Sequence, residues 1–242
     1  MSLTDCTDCP RLAAFLAEAR AARPDYFCRP VPAFGDAAPR LLIVGLAPGF
    51  HGANRSGRPF TGDYAGVLLY ETLHAFGYAS RPVSSSADDG LELIGCRITN
   101  AVKCVPPENK PETGEIRQCN GYLKSELQAL PADAAILALG QIAHKAVLMA
   151  LGLKQGAYVF GHGAAHLLPL PPGEGRGEGT TPDRAEPQRQ PRLPHPQPLP
   201  RGGRGAGIRL YDSYHCSRYN TQTRRLTPEM FRAVFQRIRE EN

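Results

Sequence analysis

The sequence predicts a layered α/β domain built around a parallel sheet. Three observations carry that expectation. Leu41-Leu42-Ile43-Val44 is a short continuous apolar run, the pattern of a strand buried on both faces. Three further candidate strands follow, at Cys96 to Asn100, Ala134 to Leu139 and Ile208 to Tyr214. Helix-like stretches fall between them, and strands alternating with helices are the signature of crossover-connected layers.

The elements follow in order. A cysteine pair precedes a helix-like run from Arg11 to Ala22, and a Pro-rich link, Arg29 to Pro39, leads into the first strand. Helical stretches are expected near Gly66 to Phe76, Glu115 to Leu130 and Gln141 to Leu151. Thr227 reads as an N-cap with Pro228 at the first helical position, opening a last helix to about Arg239. The segment 171–206 breaks the pattern: 7 Gly and 9 Pro among 36 residues leave almost no aliphatic content. Such a stretch cannot bury enough apolar area to offset its ordering entropy, so it is expected to be a disordered, repetitive insert in a single domain spanning 1–242. Its ends echo each other as PLPPGEGRG and PLPRGGRG.

Composition bounds the class. At 242 residues, 42% hydrophobic and 21% charged, the chain can form a packed core. No stretch approaches the ~20 apolar residues of a membrane helix. The start, MSLTDCTDCPRL, carries acids and cysteines where a signal peptide has a basic start and an apolar run. A soluble, cytoplasmic protein without membrane partners is expected. The net charge is +5, but the insert holds six Arg against four acids, so the remainder carries only +3. Bulk charge therefore argues weakly for nucleic-acid binding. Seven cysteines, clustered in an intracellular chain, point to metal or redox chemistry before disulfides.

The richest stretch follows the first strand: Gly45-Leu46-Ala47-Pro48-Gly49-Phe50-His51-Gly52-Ala53-Asn54-Arg55-Ser56-Gly57-Arg58-Pro59-Phe60-Thr61-Gly62-Asp63. In open α/β sheets, ligands bind beyond the carboxyl ends of strands. The glycines permit close backbone approach, Phe60 offers an aromatic face, and Asp63 is an acid at the mouth of a helix, where it can also serve as a plain cap. The spacing is neither that of a phosphate-binding loop nor that of a dinucleotide fingerprint.

This stretch resembles the first motif of the uracil-DNA glycosylase superfamily, in the form carried by the iron–sulfur family 5 (type B) enzymes. Thr99-Asn100-Ala101-Val102-Lys103-Cys104-Val105-Pro106-Pro107 is similar to the superfamily's base-reading segment. Tyr214-His215-Cys216-Ser217-Arg218-Tyr219-Asn220-Thr221 is similar to its second catalytic motif, except that Cys216 stands where a proline usually follows the histidine. The resemblance covers the chain outside 171–206 and implies a three-layer α/β/α sandwich with a short, mainly parallel central sheet. Family 4 enzymes carry a glutamate directly after the first glycine, where this chain has Leu46, which cannot act as a base. In the family 5 pattern the acid falls on Asp63.

The resemblance assigns roles by position. Asp63 would steady an electron-poor sugar or orient water. His215 would donate to the departing base, and Asn100 would read a base edge. Phe60 would stack on the ring, and Gly45, Leu46, Ala47, Pro48, Gly49 and Phe50 would hold the base or an adjacent phosphate. Ser217, Arg218 and Tyr219 would face DNA, with a side chain there serving as a wedge. Lys103, Lys110 and Arg117 are candidate phosphate contacts, each more simply read as solvated basic surface. The other histidines are read as structural or surface residues.

Cys6 and Cys9 form C-x2-C, and fourteen residues separate Cys104 from Cys119. Together they are similar to the ligand set of the family's four-iron four-sulfur (4Fe-4S) cluster, although four thiolates would also hold a zinc ion. Cys28 and Cys96 read as packing residues. The expected function is a monomeric, monofunctional glycosylase that removes uracil, and other deaminated bases such as hypoxanthine, from DNA. Two rivals stand beside it: a uracil-specific family 4-like enzyme, and an iron–sulfur DNA-binding or damage-sensing module with degraded catalysis.

Overall fold

The computed structural model describes residues 2–169 and 207–242. The expected disorder of 171–206 falls outside the described residues. Four strands form a parallel centre: β2 (Leu41–Gly45), β3 (Cys96–Asn100), β4 (Ala135–Leu139) and β6 (Gly207–Ser213). Short antiparallel strands close the edges, β1 (Phe34–Gly35) on β3 and β5 (Ala165–Pro169) on β6. The resulting order is β1-β3-β2-β4-β6-β5.

Every residue of β2 and β4 is buried, as central parallel strands require. Successive side chains point to opposite faces, and this splits the core in two. Leu41, Ile43, Leu137 and Leu139 pack with α3 (Tyr64–Ala75) and α7 (Pro228–Glu241) through Leu69, Leu73, Phe231 and Phe235. Leu42, Val44, Ile136 and Ala138 pack with α4 (Thr113–Gln128) and α5 (Gln141–Ala150) through Leu123, Leu127, Ala146 and Val147. This is the expected three-layer sandwich. A third, smaller core joins Leu12 and Leu16 of α1 (Pro10–Ala22) to Val102, Cys104 and Val105, beyond the carboxyl end of β3.

The helix starts follow local chemistry. Thr227 accepts from the Met230 N–H at 3.2 Å, with Pro228 in the first turn, as expected. α4 opens on a capping box in which Glu112 and Glu115 answer each other's backbone, and Arg11 from α1 holds Glu115 at 2.7 Å. Edge strand β5 was not foreseen. Its last residue, Pro169, stands opposite Gly207 in the β5–β6 register, so both flanks of the low-complexity segment meet at one edge of the sheet. Among the described residues, no helix is long and apolar enough to cross a membrane.

Candidate active site

A cleft of about 380 Å³ opens at the carboxyl edge of the sheet, where the loops after β2, β3 and β6 converge. Leu46, Ala47, Gly49, Ala53, Phe60, Asp63, Ala65, Asn100, Asn109, His215 and Ser217 line it. Asp63, Asn100 and His215, separated by up to 152 positions in the chain, thus face one space.

Each side chain has a local reason for its place. Asp63 is the N-cap of α3, and its Oδ1 accepts from the Gly66 N–H at 2.9 Å. It is therefore both the cap and a cleft residue. Its Oδ2 lies against the loop glycines: a Cβ on Gly49 would sit 3.6 Å from it, and one on Gly52 would sit only 2.6 Å away. Burial raises the Asp63 pKa above the usual carboxylate range, partly offset by the Gly66 and Ala65 amides.

Asn100 ends β3 in register with Gly45, and its Oδ1 is buried without a hydrogen-bond partner. A lone buried acceptor is costly, and Asn100 as a residue lines the cleft. Gly45 lies behind the wall. A side chain there would run into Asn100 and would approach the Phe60 ring to 2.7 Å. Phe60 takes a left-handed φ of 56°, a strained conformation for an aromatic residue. A clamp on either side holds it. The Tyr70 hydroxyl donates to the Pro59 carbonyl at 2.8 Å. Buried Arg58 reaches Thr61 Oγ1 at 3.0 Å, Ser84 Oγ at 2.8 Å and Asp89 Oδ2 at 2.7 Å.

The Phe60 ring stacks on the His215 imidazole with centroids 5.8 Å apart and 28° between planes. Burial pushes the His215 pKa down to about 4, so at neutral pH the ring is uncharged with one N–H to donate. A histidine resonance titrating near pH 4 in the NMR spectrum, absent from His215→Gln, is the expected signature. Because the folded pKa lies below the unfolded one, the unfolded state binds more protons between them. The contribution of this residue to stability therefore falls as pH drops from about 6.5 towards 4.

Not every expected site residue reaches the cleft. Pro48 is buried outside the lining. Phe50 turns away to pack on Phe15 and Tyr26, with centroids 5.9 and 6.0 Å apart, because α1 offers an apolar surface there. Arg218 and Tyr219 begin a short helix, α6 (Arg218–Gln222), capped by Ser217, rather than a loop. Tyr219 is 70% exposed and the Arg218 guanidinium lies 5.9 Å above the Tyr64 ring, so both stand outside the cleft. Lys103 is not surface: its ammonium is buried and paired with Glu126 at 2.9 Å, which removes it as a phosphate contact. Asn109, held at a φ of 57°, lines the cleft and was missed. No motif marks it, only its place in the turn after Pro106-Pro107.

Cys6, Cys9, Cys104 and Cys119 line a second pocket with Leu3, Leu12, Val102 and Tyr122. No lining residue is shared with the cleft. Burial and the neighbouring thiols push Cys9 up to about 11 and Cys104 up to about 12. Thiolates gathered this closely need a shared positive group, which is what a metal centre supplies. The Lys103 backbone N–H already points at Cys119 Sγ, 3.3 Å away, as amides do around ligating sulfur. A single zinc draws its sulfurs to within roughly 4 Å of one another, given bonds of ~2.3 Å in a tetrahedron. Among the described residues, the one set of three metal-capable groups within 4.8 Å of one another is His144, His166 and Asp212, not these cysteines. Cys28 and Cys96 are buried elsewhere, as packing residues should be.

Fold and cleft together define an α/β/α sandwich protein with a nucleoside-sized site flanked by a buried acid and a neutral imidazole. The family model described as "Uracil DNA glycosylase superfamily" matches residues 32–239, and the chain belongs to that superfamily and, within it, to the type-5 uracil-DNA glycosylases. A type-5 uracil-DNA glycosylase of Thermus thermophilus is 44% identical over 238 residues, spanning 96% of this chain and 92% of the relative. One from Pyrobaculum aerophilum is 36% identical over 97% of this chain and 88% of its own. A type-4 uracil-DNA glycosylase of the same organism is 37% identical, but over only 50% of this chain and 55% of its own.

Proposed function

We propose that this chain hydrolyses the N-glycosidic bond of uracil, and of hypoxanthine, in DNA and leaves an abasic site. The observation that carries the reading is the placement of Asp63 and His215 on one cleft of about 380 Å³. The target nucleoside leaves the duplex stack and enters this cleft, which costs a few kcal/mol. As the bond breaks, positive charge grows on the sugar and negative charge on the base. Asp63 is the one carboxylate in the lining; ionised, it steadies the sugar and orients the attacking water. The neutral His215 donates its N–H to the base carbonyl as that oxygen gains charge. Leu46 faces the same space but offers no charge, which supports the type-5 reading over the type-4 one.

Breadth follows from edge chemistry. Uracil and hypoxanthine both present a carbonyl beside a ring N–H. The orphaned Oδ1 of Asn100 accepts that N–H, and the amide NH2 can donate to the carbonyl. Cytosine and adenine present a ring acceptor and an amine there, which leaves the buried oxygen unpaired. Duplexes carrying a single uracil or a single hypoxanthine test this directly, with strand scission after alkali as the readout. Both should be cut. Loss of hypoxanthine cleavage alone would restrict the enzyme to uracil, and loss of both would remove the reading.

Cys6, Cys9, Cys104 and Cys119 would hold a 4Fe-4S cluster, whose contribution is structural: it ties the N-terminal segment to the loop after β3. The glycine loop yields a separate expectation. In Gly52→Ala, the new methyl group would lie 2.6 Å from both Cβ and Oδ2 of Asp63. Displacing the carboxylate by about an ångström should slow uracil excision by about 10²-fold. Single-turnover rates and melting curves side by side would check that the loss is catalytic rather than a loss of fold.

A further inference from the structure

We infer that His162 is a positioning residue for His215, acting through the backbone that joins β6 to the His215 loop; this rests on the role proposed above for His215. Strand β6 ends at Ser213, so the Tyr214 N–H is the first amide past the sheet ladder. Its partner is not backbone. It donates to His162 Nδ1 at 3.2 Å, and Ser213 Oγ lies 3.4 Å from the same nitrogen. The imidazole also stacks on the Tyr214 ring, with centroids 5.1 Å apart and planes 18° apart, while the Arg225 guanidinium lies 4.6 Å from the ring centroid. The Ser213–Tyr214 peptide, one unit before the peptide that carries His215, is thus held by a side chain from the loop before β5. An acceptor at Nδ1 requires a neutral ring with its proton on Nε2. Burial, partly offset by the Met230 backbone, lowers the pKa and favours that form.

The loop itself does not depend on His162. Gly163 N–H donates to the Asp212 carbonyl at 2.9 Å, and Asp212 N–H donates to the Ala164 carbonyl at 2.9 Å. The Asp212 carboxylate, fully buried, is held by His144 Nδ1 at 2.8 Å and His166 Nε2 at 3.2 Å, and the His144 Nε2–H reaches the Tyr158 carbonyl at 3.0 Å. Arg237 anchors the Gly163 carbonyl at 2.9 Å. With these anchors in place, loss of the His162 ring frees Tyr214 N–H without freeing the loop. What it releases is the direction in which the chain leaves β6 for His215.

The test uses the cluster-bearing, full-length protein with three variants: His162→Ala, His162→Gln and His162→Asn. The Asn Oδ1 falls near the position of Nδ1, whereas the Gln Oε1 reaches towards Nε2. Alanine and glutamine should slow single-turnover uracil excision by about 10²-fold with duplex affinity unchanged, and asparagine should restore the rate to within about threefold of the unmodified protein. Where alanine fails to fold, the asparagine and glutamine pair decides. An alanine rate within about threefold of the unmodified protein, or asparagine as slow as glutamine, overturns the inference. Failure of the underlying role is distinguishable, because His215→Gln would then excise uracil as fast as the unmodified chain.

Discussion

Asp63→Asn is expected to slow uracil excision by about 10²–10⁴-fold, the usual worth of a positioned acid–base group, while the protein melts higher than the unmodified chain at neutral pH. The two halves of this result have one cause. Asp63 sits where a carboxylate is poorly solvated, and burial raises its pKa. Between the ordinary and the raised value the folded state binds more protons than the unfolded state. Stability present with the protonated acid is therefore lost as pH rises through that window. An uncharged amide escapes that loss. Asparagine is also as good an N-cap as aspartate, so the bond from Gly66 N–H and the start of α3 survive. Function and stability thus oppose each other at this residue, and a merely structural cap would show no such opposition. Excision in turn should fade as pH falls through the raised Asp63 pKa, because only the ionised form can steady the sugar. Negligible activity in both proteins, on uracil and hypoxanthine duplexes alike, would leave a DNA-binding module in place of an enzyme.

The parts that could be read from sequence are those set by local pattern. β2 and β4 lie within one residue of their apolar runs, because a strand buried on both faces must be continuously apolar, and β3, CRITN, also begins and ends where expected. The last helix begins where Thr227 and Pro228 place it, because caps are local. What escaped depends on distance in the chain. β1 has only two residues, and β5 ends in proline and gains its identity from pairing with β6 beyond the low-complexity segment. Lys103 looked like surface because its partner, Glu126, comes a whole helix later. Phe50 lies inside the glycine motif, yet α1 supplies the apolar partner that turns it away from the cleft. Asn109 depends on a left-handed backbone that a Pro-Glu-Asn string does not announce. The two cleft groups that carry charge or a proton, Asp63 and His215, could be found from their motifs; the backbone latch behind His215 could not.

On the proposed 4Fe-4S assignment, Cys119→Ser is expected to lose iron and sulfide and to lower stability by several kcal/mol, while uracil excision persists at low temperature. A centre held by Cys6, Cys9, Cys104 and Cys119 closes a loop of nearly a hundred residues between Cys9 and Cys104. By the chain-entropy argument developed for disulfides, a closure of that length is worth about 4–5 kcal/mol, a large part of the 5–15 kcal/mol typical of a whole domain. The third core is small, with Leu12, Leu16, Val102 and Val105 as its main aliphatic members, and beside it α1 is fastened chiefly by the Arg11–Glu115 pair. Ala47 and Phe50 of the cleft loop pack against that same core. Loosening it should therefore reach the site on heating, well before the sandwich melts. At low temperature the cleft keeps its lining, because no residue lines both the cleft and the cysteine pocket. Cys28→Ala, a buried thiol outside the pocket, is the control and should retain its iron. Iron and acid-labile sulfide per chain, visible absorbance and melting temperature make the comparison. Unchanged iron content in Cys119→Ser would remove the cluster assignment, and a stoichiometric zinc in the unmodified protein would replace it with a single-ion site.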